Sequence, residues 1–187
     1  VGSFDGSFNA PLYALTSGYS NIAVGNGALG STTTGTYNVA MGRAALWNNT
    51  TASYSTAVGY QAGYSTTTGF GANTFLGYQA GYNVTTGYYN TFVGQNAGYY
   101  ITTGYKNTIL GSYNGNQGGL DIRTASNYIV LSDGDGNPRC WNDATNWYLP
   151  SVYNNTTASA ANVNVNSGGA LRQSTSALKY KQDVRDL

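Results

Sequence analysis

Side chains able to do acid–base, nucleophilic or metal chemistry are few in this chain, and where they stand limits what it can do. Of seven acidic residues only Asp5 precedes Asp121, and there is no histidine. Cleaving a glycosidic bond takes two carboxylates facing one another in a cleft. The long first part has no such pair to offer, and Asp133, Asp135 and Asp143 are the candidates, brought together across subunits. Asp133, Asp135 and Asn137 echo the opening of a calcium loop, which needs glycine at its sixth position and glutamate at its twelfth. Pro138 and Ala144 hold those positions, so the segment reads as a plain turn, with no metal and no cofactor. Cys140 stands alone, closes no intrachain disulfide, and reads as a small half-buried hydrophobe. Trp141, Trp147, Tyr148 and Tyr153 crowd one segment, either as a flat face for sugar rings or as side chains buried around a common axis.

The scaffold that must carry these residues has an unusual composition. Charged residues make up 8% of the 187, while there are 26 glycines and 18 tyrosines. Such a mix favours turns and strands over helices. A polar, weakly charged chain can be disordered, but disorder goes with few aromatics, and here they are 14%. A net charge of +1 with no basic run before the last residues leaves no footprint for nucleic acid or an anionic membrane. No stretch nears the roughly 20 apolar residues that span a bilayer, and the first residues do not read as a charged-then-apolar signal peptide. Val1 rather than Met stands first, from which we expect a piece of a longer polypeptide.

Order comes from a repeat. Segments Asn21 to Gly25, Asn38 to Gly42, Ser55 to Gly59, Asn73 to Gly77, Asn90 to Gly94 and Asn107 to Gly111 are variants of one pattern, about 17 residues apart. Ala28, Ala45, Ala62, Ala80 and Ala97 each fall three residues after those glycines, and a Thr-Gly or Ser-Gly step ends at Gly18, Gly35, Gly69, Gly87 and Gly104. Helical-hairpin and propeller repeats need about 33 to 50 residues, so this period predicts one coil of a parallel β-solenoid. Each coil is predicted to hold a strand before the closing glycine, a second strand near the alanine, and a return turn. Six coils stacked about 4.8 Å apart make a rod section of roughly 30 Å.

Within the strand, Val24, Met41, Val58, Leu76, Val93 and Leu110 form an apolar column. Ala23, Ala40, Ala57, Phe75, Phe92 and Ile109 form another, and adjacent strand residues point to opposite faces. A thin coil encloses one core, so the second face calls for a partner, most simply another copy. The change from Ala to Phe suggests packing that widens along the rod.

The run Asn90-Thr-Phe-Val-Gly-Gln-Asn-Ala-Gly-Tyr99 resembles the head repeats of trimeric autotransporter adhesins, which are left-handed parallel β-rolls, and the related repeats of phage tail fibres. The resemblance covers about residues 18 to 116 and implies an all-β, homotrimeric fibre. The expected organisation is an entry segment 1–17, β-roll repeats 18–116, a capping strand and turn-rich segment 117–150, an extended stalk 151–175, and a distinct terminal piece 176–187. Asn127 to Ser132 reads as the last strand and Asp133 to Asn137 as the turn after it.

The end of the chain, Ser174 to Leu187, resembles the opening of the intramolecular chaperone domain that finishes endosialidase-type phage tail fibres. That family trimerises, folds the fibre ahead of it, and cuts itself free with a Ser nucleophile and a Lys base. Ser176 and Lys181 match the pattern best, with cleavage between Thr175 and Ser176, and Ser174 with Lys179 is equally spaced. A Lys activates a Ser only when its own pKa is depressed. Together the two resemblances imply a structural subunit of a virion tail fibre outside the cell, a homotrimer meeting other tail proteins and a host cell-surface glycan or protein. The alternatives are the head of an adhesin on a bacterial cell surface and a glycan-degrading tail spike. On the first two readings the chain is not an enzyme, apart from self-cleavage when the downstream domain is present.

Overall fold

The computed structural model describes residues 10–149, together with the strands Val163–Val165 and Leu171–Gln173. Contacts divide the chain into two units, Val1–Tyr148 and Leu149–Leu187. Among the described residues there are strands and turns but no helix.

The first unit is a parallel β-solenoid. Strands β1 (Ile22–Val24), β2 (Val39–Met41), β3 (Thr56–Val58), β4 (Thr74–Leu76), β5 (Thr91–Val93) and β6 (Thr108–Leu110) stack in order, each in parallel register with the next. After the short antiparallel pair β7 (Asn116–Gln117) and β8 (Leu120–Asp121), β9 (Ile129–Ser132) adds a seventh parallel rung on β6. The repeat therefore runs on where its spacing lapses. The extra residues of that coil are taken up in the β7–β8 pair. Strands β10 (Pro138–Asn142) and β11 (Trp147–Tyr148) then reverse direction and extend the same sheet.

Each rung alternates as a half-buried strand should. Ala40, Ala57, Phe75, Phe92, Ile109 and Val130 point inward and are fully buried. The expected second strand near the alanines is absent, and Ala28, Ala45, Ala62, Ala80 and Ala97 lie in turns. Left-handed residues sit on either side of them, as at Gln79 (φ 52°) and Gly81 (φ 63°), and extended backbone does not accommodate that. These turns still stack coil on coil, with Leu46 N–H donating to the Ala62 carbonyl at 3.0 Å and Gly81 N–H to Ala97 at 2.8 Å.

The core does not widen from Ala to Phe. Where the strand carries Ala40, Leu46 fills the space from across the coil, and Ala23 is matched by Leu29. Where it carries Phe75 or Phe92, the facing positions are Gly81 and Gly98. A Cβ on Gly81 would lie 2.4 Å from the Phe75 ring, and one on Gly98 2.4 Å from Phe92. Large and small residues thus trade places between the early and later coils, and where Ala57 faces Gly63 the side chains of Leu46 and Phe75 reach in from the coils on either side, which keeps the interior close-packed.

A buried polar ladder runs beside this core. Asn73, Asn90 and Asn107 are essentially inaccessible. Asn90 accepts the Asn107 N–H at 3.0 Å and donates to the Gly104 carbonyl at 2.8 Å, while Asn73 does the same for Asn90 N–H (2.9 Å) and Gly87 (2.8 Å). Asn38 serves Ser55 N–H and the Ala52 carbonyl, both at 2.9 Å. Ser55 replaces asparagine in one coil and still accepts Asn73 N–H, at 3.3 Å, though it is too short to reach the return corner. That coil has one more residue than its neighbours, and its corner turns Phe70 out, 72% exposed.

In the second unit, β12 (Val163–Val165) and β13 (Leu171–Gln173) pair antiparallel within the stretch read from the sequence as an extended stalk. Asn90→Ala strands a buried N–H and a buried carbonyl, and should cost about 2–5 kcal/mol in chemical denaturation. Asn90→Ser keeps the acceptor, as Ser55 does, and should lose distinctly less.

Candidate interaction surface

The outward face of the solenoid sheet is built by the residues on either side of each buried strand centre. Val24, Met41, Val58, Leu76, Val93, Leu110 and Leu131 line up along it, with Leu76 47% and Met41 43% exposed. Beside them run Ile22, Val39, Thr56, Thr74, Thr91, Thr108 and Ile129. Neither column holds a charge, so the face is a continuous ribbon of aliphatic groups and threonine. Monomeric proteins seldom show water so long a contiguous apolar strip.

Beyond the strand corner the surface changes character. Tyr60 and Tyr78 stack at 5.4 Å, and Tyr64, Tyr82 and Tyr99 form a second column at 5.0 and 5.1 Å with near-parallel rings. Between them Gln79 donates to Gln61 at 2.8 Å. A third ladder comes at the return corner, where Thr33, Thr50, Thr67 and Thr85 each donate a hydroxyl to the carbonyl at the same place in the next coil. These columns are absent from the expectations drawn from the sequence above. Their signal was there, since Tyr60 and Tyr78 directly follow the closing glycines and Tyr64, Tyr82 and Tyr99 come five residues after them.

The acidic residues singled out from the sequence are engaged locally. Asp133 accepts the N–H groups of Asp135 (3.1 Å) and Asn137 (2.9 Å) and pairs with Arg139, so the segment is a turn hinged on one carboxylate. Those donors, Asn137 N–H first, hold its carboxyl below the usual range. Asp143 accepts from Asn146 N–H (2.7 Å), Thr145 N–H (2.9 Å) and the Tyr148 hydroxyl (2.9 Å), which lower its pKa likewise. Asp135 is exposed, donates its N–H to Asp133 within the turn, and accepts at its backbone carbonyl from the Gln117 side chain in β7 (2.6 Å). Cys140 is half-buried in β10 opposite Leu131. Trp141 stacks on Tyr148 at 5.1 Å and packs against the core, while Trp147 is 58% exposed. Tyr153, Ser174, Ser176, Lys179 and Lys181 lie outside the described residues.

No family model matches the chain, and no curated protein and no solved structure is significantly similar to it.

A carboxyl held low in the folded state contributes stability that is present at neutral pH and lost as pH falls through its folded value. Acidification below about pH 4 should therefore loosen the turns around Asp133 and Asp143 first. Residues 10–120 contain no carboxylate side chain, so the coils they form should hold to about pH 2. Amide hydrogen exchange resolved by residue checks this: protection lost first in β1–β6 would contradict it.

Proposed function

We propose that the chain is a structural subunit of a homotrimeric phage tail fibre that attaches to a host cell surface. The observation that carries this is the outward aliphatic ribbon, which a single chain leaves in water along its seven parallel rungs. Copies set side by side about a common axis cover it, and one continuous strip on each subunit suits such an assembly. The absence of acidic residues between Asp5 and Asp121 favours a structural role for the rod over hydrolysis. The likeness of Ser174 to Leu187 to a chaperone opening points to the phage among fibre-forming surface proteins.

A second reading rests on the β-roll repeat, which resembles adhesin heads as closely as it does fibre repeats. On that reading the chain is the head of a bacterial adhesin, and a coiled-coil stalk and membrane anchor follow it. The polypeptide beyond Leu187 separates the two.

Light scattering of the purified protein should give the mass of a trimer. Leu76→Lys together with Leu110→Lys places charge on the ribbon and should yield monomers that keep their β-sheet circular dichroism. A stable monomer before mutation sinks the proposal. In a chain extended past Leu187, self-cleavage should separate Thr175 from Ser176, and Ser176→Ala should leave the terminus attached. Cleavage that persists in that variant removes Ser176 from the role.

A further inference from the structure

Stacked ring ladders cover their own faces except at their ends. Both tyrosine columns begin in the same coil, at Tyr60 and Tyr64. One coil earlier their places are taken by Arg43 and by Trp47, and Trp47 turns to Tyr13 instead (6.0 Å, tilted). At this end each ladder therefore presents a ring face on which no aromatic residue is stacked among the described residues, and the two lie side by side. Between them Gln61 accepts from Gln79 at 2.8 Å through its Oε1, a bond that does not use its own Nε2 donors, and the preceding coil has Ala44 at that place.

Arg43, Trp47, Tyr60, Gln61 and Tyr64 line a recess of about 160 Å³ at this point. The Arg43 guanidinium is exposed and has no ion pair or hydrogen bond among the described residues. It stands in a stretch with no acidic residue from Ala10 to Leu120. A larger hollow beside β7–β8, about 520 Å³, differs in that Arg123 is already matched by Asp121 at 2.8 Å.

We propose that the recess at Arg43 binds a carboxylate-bearing pyranose, a unit of an acidic surface polysaccharide. The guanidinium fork matches a carboxylate through two parallel hydrogen bonds. The open faces of Tyr60 and Tyr64 offer flat apolar ground for the C–H side of the ring. Gln61 Nε2 supplies a donor to a ring hydroxyl, and the volume suits one sugar unit with its neighbours left in solvent. This deepens the attachment reading above and rests on it for biological meaning, but the chemistry belongs to the recess alone.

The test is titration of the purified assembly with a galacturonate trisaccharide, the neutral galactose trisaccharide and sodium acetate, followed by calorimetry and by the tyrosine ring signals in NMR. The acidic trisaccharide should bind at least about tenfold tighter than the neutral one. Arg43→Gln should bring it down to the neutral level, Arg43→Lys should fall between, and Tyr60→Ala should weaken both sugars. Equal affinity for the two sugars, no binding of either, or acetate binding as tightly as the acidic trisaccharide would overturn the assignment. Light scattering on the same samples keeps this apart from the fibre reading: a trimer that binds no saccharide removes the recess alone, while a monomer that binds the acidic one removes only the trimer.

Discussion

Each asparagine before a strand holds two coils at once. Its carbonyl oxygen takes the N–H of its counterpart in the next coil, and its amide group donates to that coil's return corner, as Asn90 does for Asn107 and Gly104. These atoms are buried, so every bond left unmade would cost a desolvated polar group without a partner. A coil can therefore be placed on its neighbour in one register only. The remaining ladders inherit that register, from the threonine hydroxyls at the corner to the stacked tyrosines on the surface.

The fixed register makes the core a problem of filling identical slices. The first coils use a small strand residue facing leucine and the later ones a large residue facing glycine. Between them Ala57 faces Gly63, and the space is filled by Leu46 and Phe75 of the neighbouring coils. Leu46 at φ 50° occupies the same left-handed turn position as Gly81 at φ 63°, so the backbone is common to both and only the side that supplies the volume changes. The closing glycines carry a separate constraint. At Gly77, with φ 138°, a Cβ would lie 2.4 Å from the Gly94 carbonyl, so the corner admits no side chain.

A scaffold of this kind puts function on its outside. One side of each coil presents the aliphatic ribbon, the next presents tyrosine and glutamine, and charge is nearly absent until Asp121. The ribbon suits other copies of the chain, and the ladder ends suit a ligand with a flat apolar face. Repetition supplies both, since a side chain set at one phase of the coil becomes a line along the axis.

How far the sequence could be read follows from the range of the interactions involved. The period, the parallel stacking and the apolar strand columns were legible, because they depend on residue type at a fixed interval and on strand alternation. Asn21, Asn38, Asn73, Asn90 and Asn107 were visible as markers but not as core, since asparagine is usually exposed and only its burial between coils makes it structural. The turn conformation around Ala80 and the exchange of Leu46 for Phe75 were not legible, because pairing across the coil joins residues whose partners no local pattern names. The strand at Asn127 to Ser132 was legible, but its place as a seventh rung and not only a cap was hidden by the longer coil before it. By itself the sequence determined that the chain would coil every 17 residues and bury one face of its strand. Only the tertiary structure decided which side chains meet across each slice and which ring faces stay open, because those contacts come from the path of the chain and not from its period.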